Sequence, residues 1–284
     1  MGRQLLPQEN NFPHEILVII LCAGEGTRFK KITKRIPKPL IKISALNNIP
    51  ILQHLITNLI ALGINQIAVV IGHLGYKIEE FLSNLIKRNP SHKEKLMIID
   101  TANQYKLGPL YSFLTITKYD TIFKPNKIFL VIPGDTVFDF ELLKEIYLKI
   151  IKNIKEAQKY PIVFYKRTAI DVLEDKRPIS IGEIEIKNSI EYLKSFSKNE
   201  LRSIENKNYV NQIIPLFSFN YDTILRFLSL KNKTSRNTIW ELVNYIIDQG
   251  KKVLKLKLDV PYNFYDIDSK SDLNNFNKKK VDGQ

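Results

Sequence analysis

Cysteine is almost absent from this chain: Cys22 is the only one in 284 residues, so no internal disulfide can form. Long apolar runs are missing too. Stretches such as Ile16 to Ala23 fall far short of the ~20 residues that a membrane-spanning helix needs, so no membrane partner is expected. Residues Met1 to Pro13 are polar and lack the apolar stretch of a secretion signal, which makes a cytoplasmic location the default expectation. Acidic residues are scarce beside basic ones, 29 against 43, leaving a net charge of +14. An excess of that kind can mark a nucleic-acid or membrane-surface protein. Here, however, the lysines are spread along the whole chain in company with many Ile and Asn. That mixture is read as compositional bias, and no nucleic-acid partner is expected. The dense cluster Lys278-Lys279-Lys280 reads as a solvated tail.

What is present describes an ordinary globular chain. Hydrophobic residues make up 44% and charged residues 25%, and a chain of this length can bury a sizeable core. Ile16 to Cys22 is a continuous apolar run, as expected of a parallel strand buried on both faces. Strands at 66–71, 96–99 and 127–132 alternate with helices at 51–62, 76–86, 110–117 and 140–157. Such alternation predicts βαβ units: a three-layer α/β/α, Rossmann-like sheet, mixed but mostly parallel. The second half is richer in strands, at 162–166, 182–187, 190–196, 210–219 and 253–258, with one helix at 238–249. A single domain over 14–276 is expected, with a nucleotide-binding half at 14–158 and a β-rich acceptor-binding half at 159–276. Residues 1–13 and 277–284 are read as tails.

In open α/β sheets, ligands sit beyond the carboxyl ends of the strands. Two such ends carry polar chemistry. After the first strand comes Ala23-Gly24-Glu25-Gly26-Thr27-Arg28, then Pro37-Lys38-Pro39-Leu40. Paired glycines let backbone N–H groups approach an anion, and Arg28 offers a planar fork of donors for phosphate oxygens. Lys38, held between two prolines, has a restricted backbone. By itself a Gly-x-Gly is more often a tight turn. It is not a phosphate-binding loop of the Gly-Lys-Ser/Thr type, and Phe29 stands where a dinucleotide fingerprint has its third glycine. Asp135 follows Pro133-Gly134 at the end of another buried strand, and Asp266 and Asp268 lie two apart in what reads as an extended segment. In such a segment both can point the same way. Carboxylates from distant parts of the chain suit Mg²⁺. Asp139 and Asp272 read as helix-start residues, and His54, His73 and His92 have no metal-site spacing. Trp240 reads as packing and Cys22 as inert.

Leu21 to Leu40 resembles the signature of the nucleotidyltransferase superfamily that makes nucleotide-sugars, LAAGxGTR followed by a short basic loop and PKPL. Gly63 to Gly72, Phe129 to Asp135 and Tyr265 to Leu273 resemble further elements of that family, in the family's order. The resemblance implies Mg²⁺-dependent transfer of a nucleotide from a nucleoside triphosphate to a small phosphorylated acceptor, a sugar 1-phosphate first, with release of pyrophosphate. An alcohol phosphate activated by CTP is the alternative. A catalytically silent nucleotide-binding subunit is the reading from another class. The resemblance makes Ala23, Gly24, Gly26, Thr27, Arg28, Gly108 and Tyr111 nucleotide-binding residues. It makes Arg28 and Lys38 catalytic, with Lys198 as the acceptor-side lysine and Lys194 as its fallback. The metal falls to Asp135 and to one of the Asp266/Asp268 pair. Relatives are often oligomers, so a homo-oligomer is an expectation. No further domain is read in the chain, which gives the expectation of a single activity. The family's acceptor-side Asn-Ala-Gly reads Asn211-Gln212-Ile213 here, without the glycine.

Overall fold

The computed structural model describes residues 15–29, 32–170, 179–187, 190–199, 208–230, 237–259, 261 and 263–282. In chain order the first half holds β1 (Ile16–Leu21), β2 (Lys42–Ile43), β3 (Ile49–Pro50), α1 (Ile51–Ala61), β4 (Ile67–Ile71), α2 (Gly75–Arg88), β5 (Leu96–Asp100), α3 (Pro109–Leu114), β6 (Ile128–Pro133), β7 (Thr136–Phe138), α4 (Phe140–Lys152) and α5 (Ile154–Ala157). The second half holds β8 (Ile162–Ala169), β9 (Ile179–Lys187), β10 (Ile190–Asn199), β11 (Tyr209–Asn220), α6 (Tyr221–Leu230), α7 (Ile239–Asp248), β12 (Leu254–Lys257), β13 (Phe264–Asp266) and α8 (Lys270–Asp282).

Nine strands form one sheet in the order β5-β4-β1-β6-β11-β8-β12-β10-β9. Strand β1 is fully apolar because it lies mid-sheet with both faces covered. Ile16, Val18 and Ile20 pack with α1, α2 and α4 on one side, whereas Leu17 and Ile19 pack with α3, α6 and α7 on the other. The pairings β5–β4, β4–β1 and β1–β6 are parallel, as helical crossovers require. From β6 onward the sheet departs from the mostly parallel expectation. Strand β11 runs antiparallel to both β6 and β8, and β9–β10 is an antiparallel hairpin; only β12–β8 is parallel there. The reason is connectivity: among the described residues, no crossover helix lies between β9, β10 and β11.

Three further departures are local. The helix expected over 140–157 breaks at Asn153, which leaves helical dihedrals (φ −114°, ψ 34°) and whose backbone N–H and side-chain amide both donate to the Lys149 carbonyl, at 3.2 and 2.8 Å. Helix α6 was not read from the sequence. The tail expected from residue 277 is, as far as Asp282, the end of α8. Among the described residues no helix is long and apolar enough to cross a membrane.

Candidate active site

Strands β1 and β6 are neighbours, and their carboxyl ends are tied together: Gly134 N–H donates to the Leu21 carbonyl at 2.9 Å. A side chain at position 134 would meet the Cys22 sulfur at 2.5 Å, so only glycine lets the two strand ends approach this closely. Beyond β1 the chain enters the loop 22–26. Gly24 is exposed and has open space around it, while Gly26 adopts φ +62° and would press a Cβ against Thr33 at 2.9 Å. Thr33 hydroxyl donates to the Gly26 carbonyl at 2.9 Å and fixes the turn. Ala23 carbonyl accepts from His73 N–H at 3.0 Å, which ties the loop to the end of β4.

Lys38 opens a short 3₁₀ turn over Lys38–Leu40 and, although charged, is only 7% exposed. Its ammonium donates to Asp135 Oδ2 at 2.6 Å and to Asp268 Oδ1 at 2.5 Å. Arg28, largely exposed, donates to the other oxygen of Asp268 at 2.5 Å. Four charged side chains from positions 28, 38, 135 and 268 therefore meet at one point. Burial opposes the Lys38 ammonium, but the two carboxylates outweigh it and hold its pKa above the ordinary lysine value.

The aspartate pair does not act as one unit. Asp266 ends β13, opposite Thr136 of β7, and its Oδ1 accepts the Thr136 hydroxyl at 2.6 Å. Asp268 lies beyond the strand. Its N–H donates to Asp272 Oδ2 at 3.1 Å, and Ser269 hydroxyl donates to the same oxygen at 2.8 Å. Asp272 thus sits in the first turn of α8, as the sequence suggested, and also braces the residue that meets Lys38. Asp139 lies at the start of α4, but its carboxylate accepts the Asn263 N–H at 2.9 Å rather than capping the helix.

Sequence reasoning missed what holds these segments together. A separate apolar cluster contains Phe29, Ile41, Ile43, Ile51, Val137, Ile267 and Phe276, all buried. Phe29 follows Arg28, Val137 is two residues past Asp135, and Ile267 precedes Asp268. Each charged residue has an apolar near-neighbour anchored in one core. Ile267 N–H also donates to the Asp135 carbonyl at 3.1 Å. The only signal for this in the sequence is a hydrophobic residue within three positions of each charged one.

The remaining residues are spread more widely. Gly108, at φ +113°, receives the Asn237 backbone, and its N–H donates to the Tyr105 carbonyl at 3.1 Å. The Tyr105 ring in turn lies against Gly72, beside His73, so the Gly108 turn hangs from the same strand end as the Ala23 loop. Tyr111 is half-buried on α3. Lys198 is in β10, in register with Ser180 of β9; its side chain lies outside the described residues. Lys194 is the extra residue of a bulge between Leu193 and Ser195, and is exposed. Ile213, at the position of the missing glycine, is 3% exposed and fills the space left by Gly182 across the sheet. Cys22 is buried, and burial followed by the nearby Asp135 charge pushes its thiol pKa well up. Trp240 packs edge-on against Phe196 at 5.9 Å.

The family model described as nucleotidyl transferase matches residues 17–279. The chain belongs to this family. Among curated nucleotidyl transferase relatives, the bifunctional protein GlmU of Methanococcus aeolicus is 26% identical over 275 residues, covering 83% of this chain and 61% of that protein. The chain therefore spans about three fifths of the length of the curated relatives it matches. Among solved structures, a UDP-glucose pyrophosphorylase complexed with UDP-glucose superposes with a TM-score of 0.67 at 19% identity, covering 94% of this chain and 98% of that one. The inositol-1-phosphate CTP transferase from T. maritima superposes with a TM-score of 0.65 at 17% identity, covering 94% and 95%. At these identities the likeness is one of nucleotidyl transferase fold, and the two scores do not separate the two acceptors.

Proposed function

We propose that this chain joins a nucleoside triphosphate to a sugar 1-phosphate in a Mg²⁺-dependent reaction that releases pyrophosphate. One observation carries the reading: Arg28, Lys38, Asp135 and Asp268 converge beside an open glycine loop at the carboxyl ends of β1 and β6. Family membership and the pyrophosphorylases among the relatives support it. The fold supports its finer description as a three-layer, Rossmann-like single domain, because one sheet runs through both halves and helices cover both faces.

The donor set fits a divalent cation. Asp135 and Asp268 aim two carboxylate oxygens at a single cationic point, where the Lys38 ammonium now lies. Mg²⁺ can take two carboxylates and complete its shell with water and substrate phosphate. When bound, the ion supplies charge neutralisation and Lewis acidity at the phosphates. Asp266, engaged by Thr136, supports the β7–β13 ribbon rather than the ion.

The acceptor's phosphate oxygen attacks the α-phosphorus, the bond from α-phosphorus to the bridging oxygen breaks, and pyrophosphate leaves with that electron pair. A phosphate monoester is already ionised, so no strong general base is required. Loop N–H groups around Gly24 and Gly26 receive the triphosphate; Arg28 holds the leaving pyrophosphate and Lys38 the charge gathering at the α-phosphate. The resemblance gives Gly108 and Tyr111 to the base and Lys198 to the acceptor; the Lys198 side chain lies outside the described residues. An alcohol phosphate with CTP is the second reading. It is favoured by Ile213, buried where the resemblance implies the glycine of the family's acceptor-side Asn-Ala-Gly, which counts against a standard hexose pocket.

The test is thermal unfolding with Mg²⁺ and each of five triphosphates, followed by pyrophosphate release with phosphorylated sugars and alcohols. A ligand at 100 times its dissociation constant adds ~2.7 kcal/mol, a shift of several degrees. The expected result is binding of one triphosphate whose Mg²⁺-dependent part is lost in Asp135→Ala, with pyrophosphate release abolished in the same variant. Binding without release with any acceptor favours the silent subunit, and no stabilisation by any triphosphate overturns the proposal.

A further inference from the structure

In the free protein the cations meant for phosphate are already in use. Lys38 and Arg28 together carry two positive charges, and both are spent on Asp135 and Asp268, which carry two negative ones. The cluster is neutral as it stands. Arg28 is exposed and can return to water at little cost. Lys38 cannot: it is 7% exposed, so leaving the carboxylates strands a buried ammonium unless another anion receives it.

We infer that Lys38 is a built-in counter-ion that keeps metal out of the Asp135–Asp268 site until a triphosphate is present. This deepens the function proposed above and rests on it. A divalent cation entering alone would displace a nearly fully buried ammonium, its stem packed against the Gly26 turn, from both of its carboxylates. A triphosphate arriving alone meets Arg28 and Lys38 with their charge already neutralised. Arriving together, the metal takes the carboxylates and the phosphates take the ammonium, so every charge keeps a partner. Metal and triphosphate therefore bind cooperatively, and linkage makes the coupling equal in both directions. The device also guards the free site against adventitious divalent ions. Its geometric requirement is met: Lys38 reaches both carboxylates from a backbone pinned by Pro37 and Pro39 and needs only its side chain to move.

The experiment measures Mn²⁺ bound to the nucleotide-free protein, read from the loss of the free-ion EPR signal. Lys38→Met keeps the buried stem and removes the charge, and it is expected to bind Mn²⁺ roughly tenfold or more tightly than the unaltered chain. Arg28→Met is expected to change the affinity much less. Equal or weaker Mn²⁺ binding by Lys38→Met overturns the inference, and so does an equal gain in both variants, which would mean only that net charge matters. A second measurement needs no variant: the thermal midpoint of the unaltered chain with Mg²⁺ alone, tripolyphosphate alone, and both. A joint rise larger than the sum supports the coupling, and an additive rise overturns it. Failure of Mn²⁺ to bind any of these proteins, even with tripolyphosphate, is distinguishable from both, because it sinks the metal site itself and the inference with it.

Discussion

Lys38 and the two late aspartates make separable demands at the scale of single residues. Removing a preorganised charge that acts mainly on the transition state costs on the order of 10²–10³ in turnover. Lys38→Ala should therefore lower kcat at least about a hundredfold; near-normal turnover would remove Lys38 from the chemistry. Asp268 and Asp266 should divide by turnover. Asp268→Asn takes a charge from the cluster and one of the two carboxylates from the buried Lys38 ammonium, so turnover collapses and some stability is lost with it. Asp266→Ala leaves the hydroxyl of Thr136, a residue only 1% exposed, without its partner. That should cost about 1–3 kcal/mol of stability and leave turnover within a few-fold. Measuring kcat and the unfolding midpoint of both variants checks the split, and a reversed pattern would make Asp266 the metal ligand. Cys22 carries a pH prediction. Its folded-state pKa is raised, so the contribution is fully present below the unfolded thiol's ordinary value of 9.0 and is lost as pH rises beyond it. Cys22→Ala should flatten that alkaline loss in a stability–pH profile.

Elements set the reach of those residues, and here the apolar cluster under the site governs. Phe276 of α8 packs edge-on against Tyr265 at 4.8 Å and is 2% exposed. Phe276→Ala should cost about 3–5 kcal/mol, and faster amide exchange in α8 and around Ile267 should accompany a loss of turnover, since Asp268 is braced from the first turn of α8. Unaltered turnover alongside a large stability loss would separate this cluster from the site. The same elements explain how far the sequence could be read. Strands β1 and β6 were legible because burial on both faces demands an unbroken apolar run, and the motif residues at their ends came with them. Helix α6 was not, since Asn220 passes directly from strand into helix with neither glycine nor proline between. The β7–β13 ribbon escaped notice because Thr136 and Asp266 pair across 130 residues, and without that pairing nothing in the spacing of Asp266 and Asp268 says which one leaves the strand. Lys38 was legible as a cation at a fixed place, but its near-complete burial between two carboxylates was not.

Over the whole molecule, the lysines behind the charge of +14 are spread along the chain, and together they act on any anion that approaches. At an ionic strength of 0.01 M the screening length is about 30 Å, and at 0.15 M about 8 Å. The distributed lysines should therefore draw a tetra-anionic triphosphate toward the sheet edge at low salt and be largely silent at physiological salt. Such steering changes the association rate, whereas at the proposed site dissociation would be set by short contacts of the loop, Arg28 and Lys38. Stopped-flow binding of a fluorescent triphosphate across that salt range should show the association rate falling several-fold while the dissociation rate holds nearly constant. If dissociation carried the salt dependence instead, the excess charge would have to be crowded at the site, against the spread of lysines along the chain. The local cluster is neutral in the free protein, two cations against two carboxylates, so the attraction at long range and the selectivity at short range come from different residues. Neutralising surface lysines far from the loop should slow capture and spare kcat.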